Sequence, residues 1–252
     1  MKTIKDILEE TSIKVNNVDE NKSFEEDCKA YSILEPSLLK SDLSFVVSQP
    51  GIGKTTLAFD IVLEHALNTN ESIFVFSPEK RDVEITERLI SKVGNRTPLY
   101  LKEIFPNISI DDFANEQKDA VSYIKIFLEK DCKNCFVFID FLDCLWTNGR
   151  GKKITFEERV TLSDELSEIA KRKNIKLLVS NYITKEEYDL IVCGELPRYL
   201  KPVNTILLLD RQPYFVNDEF CTKAELQIIS SGNTKTKIEL DYNGMLRRFV
   251  RR

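Results

Sequence analysis

The stretch Leu43-Ser-Phe-Val-Val-Ser-Gln-Pro-Gly-Ile-Gly-Lys-Thr-Thr-Leu-Ala-Phe-Asp60 constrains this chain more than any other. It reads as a short buried strand, a tight glycine turn and the first turns of a helix. Glycine at 51 and 53 lets the backbone wrap close to a phosphate with its N–H groups turned inward, where a Cβ would obstruct. Gln49, Pro50, Gly51, Ile52, Gly53, Lys54, Thr55 and Thr56 are the expected phosphate-binding residues. Lys54 is placed to reach the outer phosphates and the Thr55 hydroxyl to ligate a magnesium ion that bridges them. A helix opening at Lys54 adds the positive end of its dipole. The pattern G-x-x-x-x-G-K-[ST] asks for glycine where this chain has Ser48, while Gly53, Lys54 and Thr55 are present. An ordinary strand-to-helix turn is the plain alternative. The apolar run before the loop and the helical pattern after it favour a nucleoside triphosphate site.

A chain of 252 residues can hold one large α/β domain or two small ones, with a substantial core. A net charge of −5 argues against a surface that grips nucleic acid everywhere, though not against a local basic groove. No apolar run reaches membrane-spanning length, and residues 1–10 lack a signal-peptide core, so no membrane role is expected. Six scattered cysteines without an export signal fit reduced thiols in a cytoplasm. Cys132 and Cys135 have ligand-like spacing, but there is no second pair and His65 is the sole histidine, so zinc is not expected. His65 itself reads as an ordinary helix residue.

Residues 1–38 are polar and acidic, with amphipathic pieces at 4–8 and 24–34, and read as an N-terminal extension. Residues 39–252 read as the main domain. Strands are expected at 72–77, 108–110, 134–140, 174–180 and 203–209, and helices at 83–93, 115–129 and 156–172. Residues 185–200 look less regular. The tail alternates like antiparallel strands over 224–229, 236–240 and 246–250, with Asn243-Gly244 as a hairpin signal. This order predicts an α/β fold: a mostly parallel central sheet flanked by helices, with a C-terminal antiparallel extension. Ligands in such sheets bind beyond the carboxyl ends of the strands, where Glu79, Asp140 and Asn181 fall beside the glycine loop. Asp140 ends an apolar strand and is the expected second magnesium ligand, the alternative being a cap for the next turn.

The order of these pieces resembles the RecA-like C-terminal ATPase domain of DnaB-type replicative helicases, from about Leu39 to Phe249. The resemblance rests on the phosphate loop, Phe76-Ser-Pro-Glu79, Asn107-Ile-Ser-Ile-Asp-Asp112, Phe138-Ile-Asp-Phe-Leu142, Val179-Ser-Asn181 and the Asn243-Gly244…Arg248-Phe249 ending. It implies a RecA-like P-loop NTPase that binds ATP and Mg²⁺, with hydrolysis linked to single-stranded DNA in replication or recombination. It implies that Lys54, Thr55 and Asp140 hold the metal and phosphates, and that Glu79 orients and deprotonates the attacking water. Asn181 would stand where the family has a γ-phosphate-sensing glutamine, and Arg150, Lys152 and Lys153 where it presents a DNA-binding loop. From the residues alone, Glu79 also reads as a helix N-terminal acid, and the basic loop as a solvated surface.

Two departures bear on the helicase role. The family places a lysine and an arginine after the penultimate strand to reach a neighbouring subunit, whereas Ile229-Ser-Ser-Gly-Asn233 offers serine and glycine. Arg211 and Lys235 are the nearby substitutes. Only residues 1–38 precede the resemblance, which bears on ring assembly. Ring assembly and unwinding are therefore not expected, and self-association or a replication-protein partner stands beside single-stranded DNA among the candidate partners. The alternative function is a degenerate helicase-like nucleotide switch that regulates or docks to a partner without unwinding. A third reading, small-molecule phosphorylation, lacks an arginine-rich lid.

Overall fold

Strands buried on both faces of a sheet need apolar side chains at nearly every position, which is what Leu43–Ser48 and Phe136–Ile139 carry. The computed structural model describes residues 1–10, 42–93, 105, 107–113, 119–147, 154–211, 215–216, 219–220, 222–230, 235–244 and 247–252. In chain order the strands are β1 (Lys2–Thr3), β2 (Leu43–Ser48), β3 (Ile73–Phe76), β4 (Ile108–Asp111), β5 (Phe136–Ile139), β6 (Lys176–Tyr182) and β7 (Thr205–Arg211). They continue with β8 (Phe215–Val216), β9 (Glu219–Phe220), β10 (Lys223–Ser230), β11 (Lys235–Asn243) and β12 (Arg248–Arg251). The helices are α1 (Ile4–Glu10), α2 (Lys54–Asn68), α3 (Asp82–Lys92), α4 (Ala120–Lys130), α5 (Phe156–Lys173) and α6 (Lys185–Cys193).

Among the described residues the main sheet has ten strands in the order β1-β4-β3-β5-β6-β2-β7-β10-β11-β12. From β4 to β7 every pairing is parallel, while β1 and β10–β12 add antiparallel edges. The expected architecture is therefore present, a mostly parallel α/β sheet with its antiparallel extension. Successive residues of β2 face opposite layers. Val46 joins Leu57, Phe59, Ile85 and Leu89 under α2 and α3. Phe45 and Val47 join Ile124, Leu166 and Ile191 under α4, α5 and α6. The N-terminal ten residues take part in this body, because β1 pairs with β4 and Ile4 and Ile7 are buried in the first layer.

Residues 185–200 differ from expectation, since α6 fills the first half and a 3-10 turn, Arg198–Leu200, follows. Its start carries a capping box: the Thr184 hydroxyl accepts from the Glu187 N–H while Glu187 reaches back to the Thr184 N–H. Its end is Gly194 in a left-handed conformation, φ 93°. The two exposed hydrophobics Leu190 and Val192 mask the amphipathic period there. Strands β8 and β9, a separate antiparallel ribbon, also lie outside the sequence expectation. Among the described residues, no helix is long and apolar enough to cross a membrane.

Candidate nucleotide site

Between β2 and α2 the loop turns on two glycines with positive φ, Gly51 at 80° and Gly53 at 113°. Gly53 is required twice over: besides its backbone, a Cβ there would stand 3.0 Å from the Phe249 ring. Ser48 is not among the residues with positive φ and closes β2 as an ordinary buried strand residue. Its hydroxyl donates to the Gln49 carbonyl at 2.9 Å. Serine at that position therefore meets no backbone objection. Helix α2 begins at Lys54, so its dipole and unpaired N–H groups point into the loop.

Strand register brings the rest together. Ile139 pairs with Val179 and Ser48 with Tyr182, which sets Asp140 beside Ser180 and both next to the loop. Lys54 Nζ donates to Ser180 Oγ at 2.9 Å and lies 3.6 Å from Asp140 Oδ1. Ser180 Oγ and Thr55 Oγ1 donate to that same oxygen at 2.7 and 3.1 Å. The Lys54 ammonium also lies over the rings of Tyr182 and Phe141, at 4.5 and 4.8 Å. Asp140 is fully buried. Burial alone would push its carboxyl up, but Lys54, Lys80 and the two hydroxyls outweigh that and hold it below the usual carboxylate range. Burial pulls the Lys54 ammonium down from its ordinary value, against the opposing pull of Asp140.

Glu79 sits just beyond β3 and is solvent-facing, with its carboxylate bound by Lys80 Nζ at 2.7 Å. The same ammonium reaches Asp140 Oδ2 at 3.5 Å. Burial works against the Lys80 charge, but Asp140 and Glu79 outweigh it and raise its pKa. Asn181 points to the opposite face of β6 from Ser180 and is fully buried. Its Oδ1 accepts the Asp143 N–H at 3.2 Å and its Nδ2 donates to the Tyr182 carbonyl at 3.0 Å. Asn181 thus braces the turn after Asp140. Arg150, Lys152 and Lys153 lie outside the described residues, as do residues 231–234. Arg211 is buried with its guanidinium 4.5 Å from the Tyr242 ring centroid. Lys235 Nζ donates to the carbonyls of Ile191 and Val192, closing the end of α6.

Behind the loop, a buried ionic cluster fixes α2. Asp60 binds Lys92 Nζ at 2.7 Å and the Phe249 N–H at 2.9 Å, with Arg248 Nε 3.6 Å away. Lys92 also donates to the carbonyls of Thr56 and Arg247, at 3.2 and 2.6 Å. These contacts hold β12, and with it the Phe249 ring, against Gly53. Beside them a cavity of about 200 Å³ is lined by Thr56, Phe59, Arg88, Lys92, Tyr242 and Arg247.

The residues fit magnesium and triphosphate chemistry. Thr55 Oγ1 and an ionised Asp140 supply two hard oxygen donors 3.1 Å apart, the small protein share that Mg²⁺ takes when phosphates and water complete its shell. Four contributors to the site stand outside the sequence-predicted set: Lys80, Phe141, Ser180 and Tyr182. For Ser180 a signal exists, because strand alternation aims it to the loop side once Asn181 is placed on the other.

Comparison with known proteins follows the same lines. Residues 35–103 match the family model described as the DnaB-like helicase C terminal domain. The chain is 23% identical over 164 residues to the replicative DNA helicase DnaC of Bacillus subtilis, a match spanning 58% of this chain and 36% of that relative's length. Among solved structures, an ATPase domain superposes with a TM-score of 0.66 at 17% identity, covering 98% of this chain and 95% of that one. A KaiC-like protein from Pyrococcus horikoshii gives 0.58 at 17% identity, covering 95% of this chain and all of the other. At such identities the structural likeness speaks to fold alone.

Proposed function

We propose that this chain, a DnaB-like domain of RecA-type ATPase fold, binds a nucleoside triphosphate with magnesium at residues 48–56 and hydrolyses it in response to single-stranded DNA. The observation that carries the reading is the Asp140 carboxylate, buried and ionised, gathered with Lys54, Thr55 and Ser180 over a glycine loop at the head of a helix. A buried cation and buried anion held together in this way are costly for stability, and a ligand that brings phosphate charge explains the arrangement. The loop N–H groups and the α2 dipole would hold the phosphates, and Lys54 would leave Ser180 to pair with the outer ones. Magnesium, held by Thr55 and Asp140, would neutralise charge on the phosphates and polarise the bond to the terminal one. Glu79, exposed at the end of β3, would orient a water and accept its proton. Asn181 would relay occupancy of the site through Asp143 and the turn after β5. The 200 Å³ cavity beside Thr56 would take the nucleoside, with ATP as the first candidate.

The DNA link rests on likeness, since the Bacillus subtilis relative is a replicative DNA helicase. Arg150, Lys152 and Lys153 remain the proposed contacts, sequence-independent and salt-sensitive. Self-association and a replication-protein partner belong to the same proposal. A second reading, a nucleotide-dependent switch with slow turnover, is favoured by one contact: Lys80 occupies the Glu79 carboxylate that a water would need.

Hydrolysis measured with and without an oligothymidylate separates the two. The motor reading expects stimulation by the single strand, and a loss of about 100-fold or more in Glu79→Gln with nucleotide binding retained. Tight binding without stimulation contradicts the motor and leaves the switch. Normal turnover by Glu79→Gln contradicts the assignment of the base.

A further inference from the structure

Lys80 is the part of this site that neither the glycine loop nor the strand ends account for. Asp140 Oδ1 is served by Ser180, Thr55 and Lys54, within 3.6 Å. Among the described residues, its other oxygen meets the Lys80 ammonium at 3.5 Å, whose side chain is 13% exposed. Without it, Oδ2 of a fully buried carboxylate would face the site as a poorly compensated charge. A triphosphate arriving beside that oxygen would be repelled unless a cation stood between them. In sites of this kind a divalent ion supplies that cation, whereas here the chain brings one of its own.

We propose that Lys80 is an internal counter-cation of the nucleotide site, carrying the Asp140 Oδ2 charge so that nucleotide binds with only weak dependence on magnesium. The proposal rests on the nucleotide reading above and adds to it a residue that sets how far binding needs the metal. Glu79 anchors the same ammonium at 2.7 Å and keeps it over Asp140. The arrangement has a kinetic corollary: metal entry to the Oδ2 side requires Lys80 to move, and that movement also frees Glu79.

The test is the affinity for N-methylanthraniloyl-ATP, measured by fluorescence in magnesium and in excess EDTA, for the intact chain. The quantity read is the ratio of the two dissociation constants, chelator over magnesium. In Lys80→Met and Lys80→Gln this ratio is expected to rise at least about fivefold over wild type, while Lys80→Arg stays near it. The melting temperature of each nucleotide-free variant checks folding, and two neutral side chains of different polarity guard against the loss of one. A smaller rise, or a fall, in a neutral variant that still binds nucleotide overturns the role given to Lys80 and leaves the nucleotide site standing. A wild-type chain that binds the probe in neither condition overturns both.

Discussion

Ser180 shows how much of this site depends on single atoms. Its hydroxyl accepts a hydrogen bond from Lys54 and donates one to Asp140, so the cation and anion are held apart by one oxygen. Residues of this kind divide by how they can be found. Gly51, Gly53, Lys54, Thr55 and Asp140 stand out in the sequence because a phosphate and metal site would ask for those residue types at a short fixed spacing or at a strand end. Ser180 is reached only indirectly, through strand alternation beside Asn181, and Lys80 not at all, because they meet Asp140 across 40 and 60 residues of sequence. The resemblance gives Asn181 a phosphate-sensing part, and its full burial and bonds to the Asp143 and Tyr182 backbone make it a brace in the form described here. His65 tests a separate point, since the chain has one histidine. Its ring stacks on Phe136 at 4.5 Å and binds Glu71 at 3.0 Å, and burial pulls its pKa below the ordinary value despite that carboxylate. The folded chain therefore holds His65 neutral where the unfolded chain protonates it. Its contribution to stability is present above the ordinary imidazole range, about 6.5, and is lost as pH falls toward the folded value. Urea unfolding at pH 7.5 and 5.5 should show a smaller acid loss in His65→Gln than in wild type. Equal losses would show that His65 does not carry this acid sensitivity.

The helix α2 is the element on which the site stands, and its support comes from the far end of the chain. Asp60 on α2, Lys92 on α3 and Arg248 on β12 form a buried cluster that no local pattern announces. Burial raises the Asp60 carboxyl, against the pull of Lys92 and Arg248. Removing one partner strands charge in the interior, so Lys92→Met should lower the free energy of unfolding by about 3–5 kcal/mol in urea titration. A loss below about 1 kcal/mol would show that the cluster relaxes onto water instead. The parallel strands are readable from continuous apolar runs, and the tail from alternation. Helix α6 escapes such reading because Leu190 and Val192 are exposed where a core-facing period would place buried residues, although the Thr184…Glu187 capping box marks its start.

At the scale of the whole molecule, the main sheet, ten-stranded among the described residues, lies between two helical layers and sets the glycine loop, Asp140 and Glu79 on a common rim. The antiparallel edge has a clear purpose in that frame, for β12 returns to press Phe249 against Gly53. On the proposed reading, this rim holds the phosphates of a nucleotide through Lys54. Titration calorimetry of Mg-ATP into wild type and Lys54→Met tests it most directly, methionine being close enough in length to remain between Phe141 and Tyr182. Wild type is expected to bind, with affinity at least about tenfold weaker in a variant that still melts cooperatively. Equal affinity in the two proteins, or no binding by wild type, would contradict that reading.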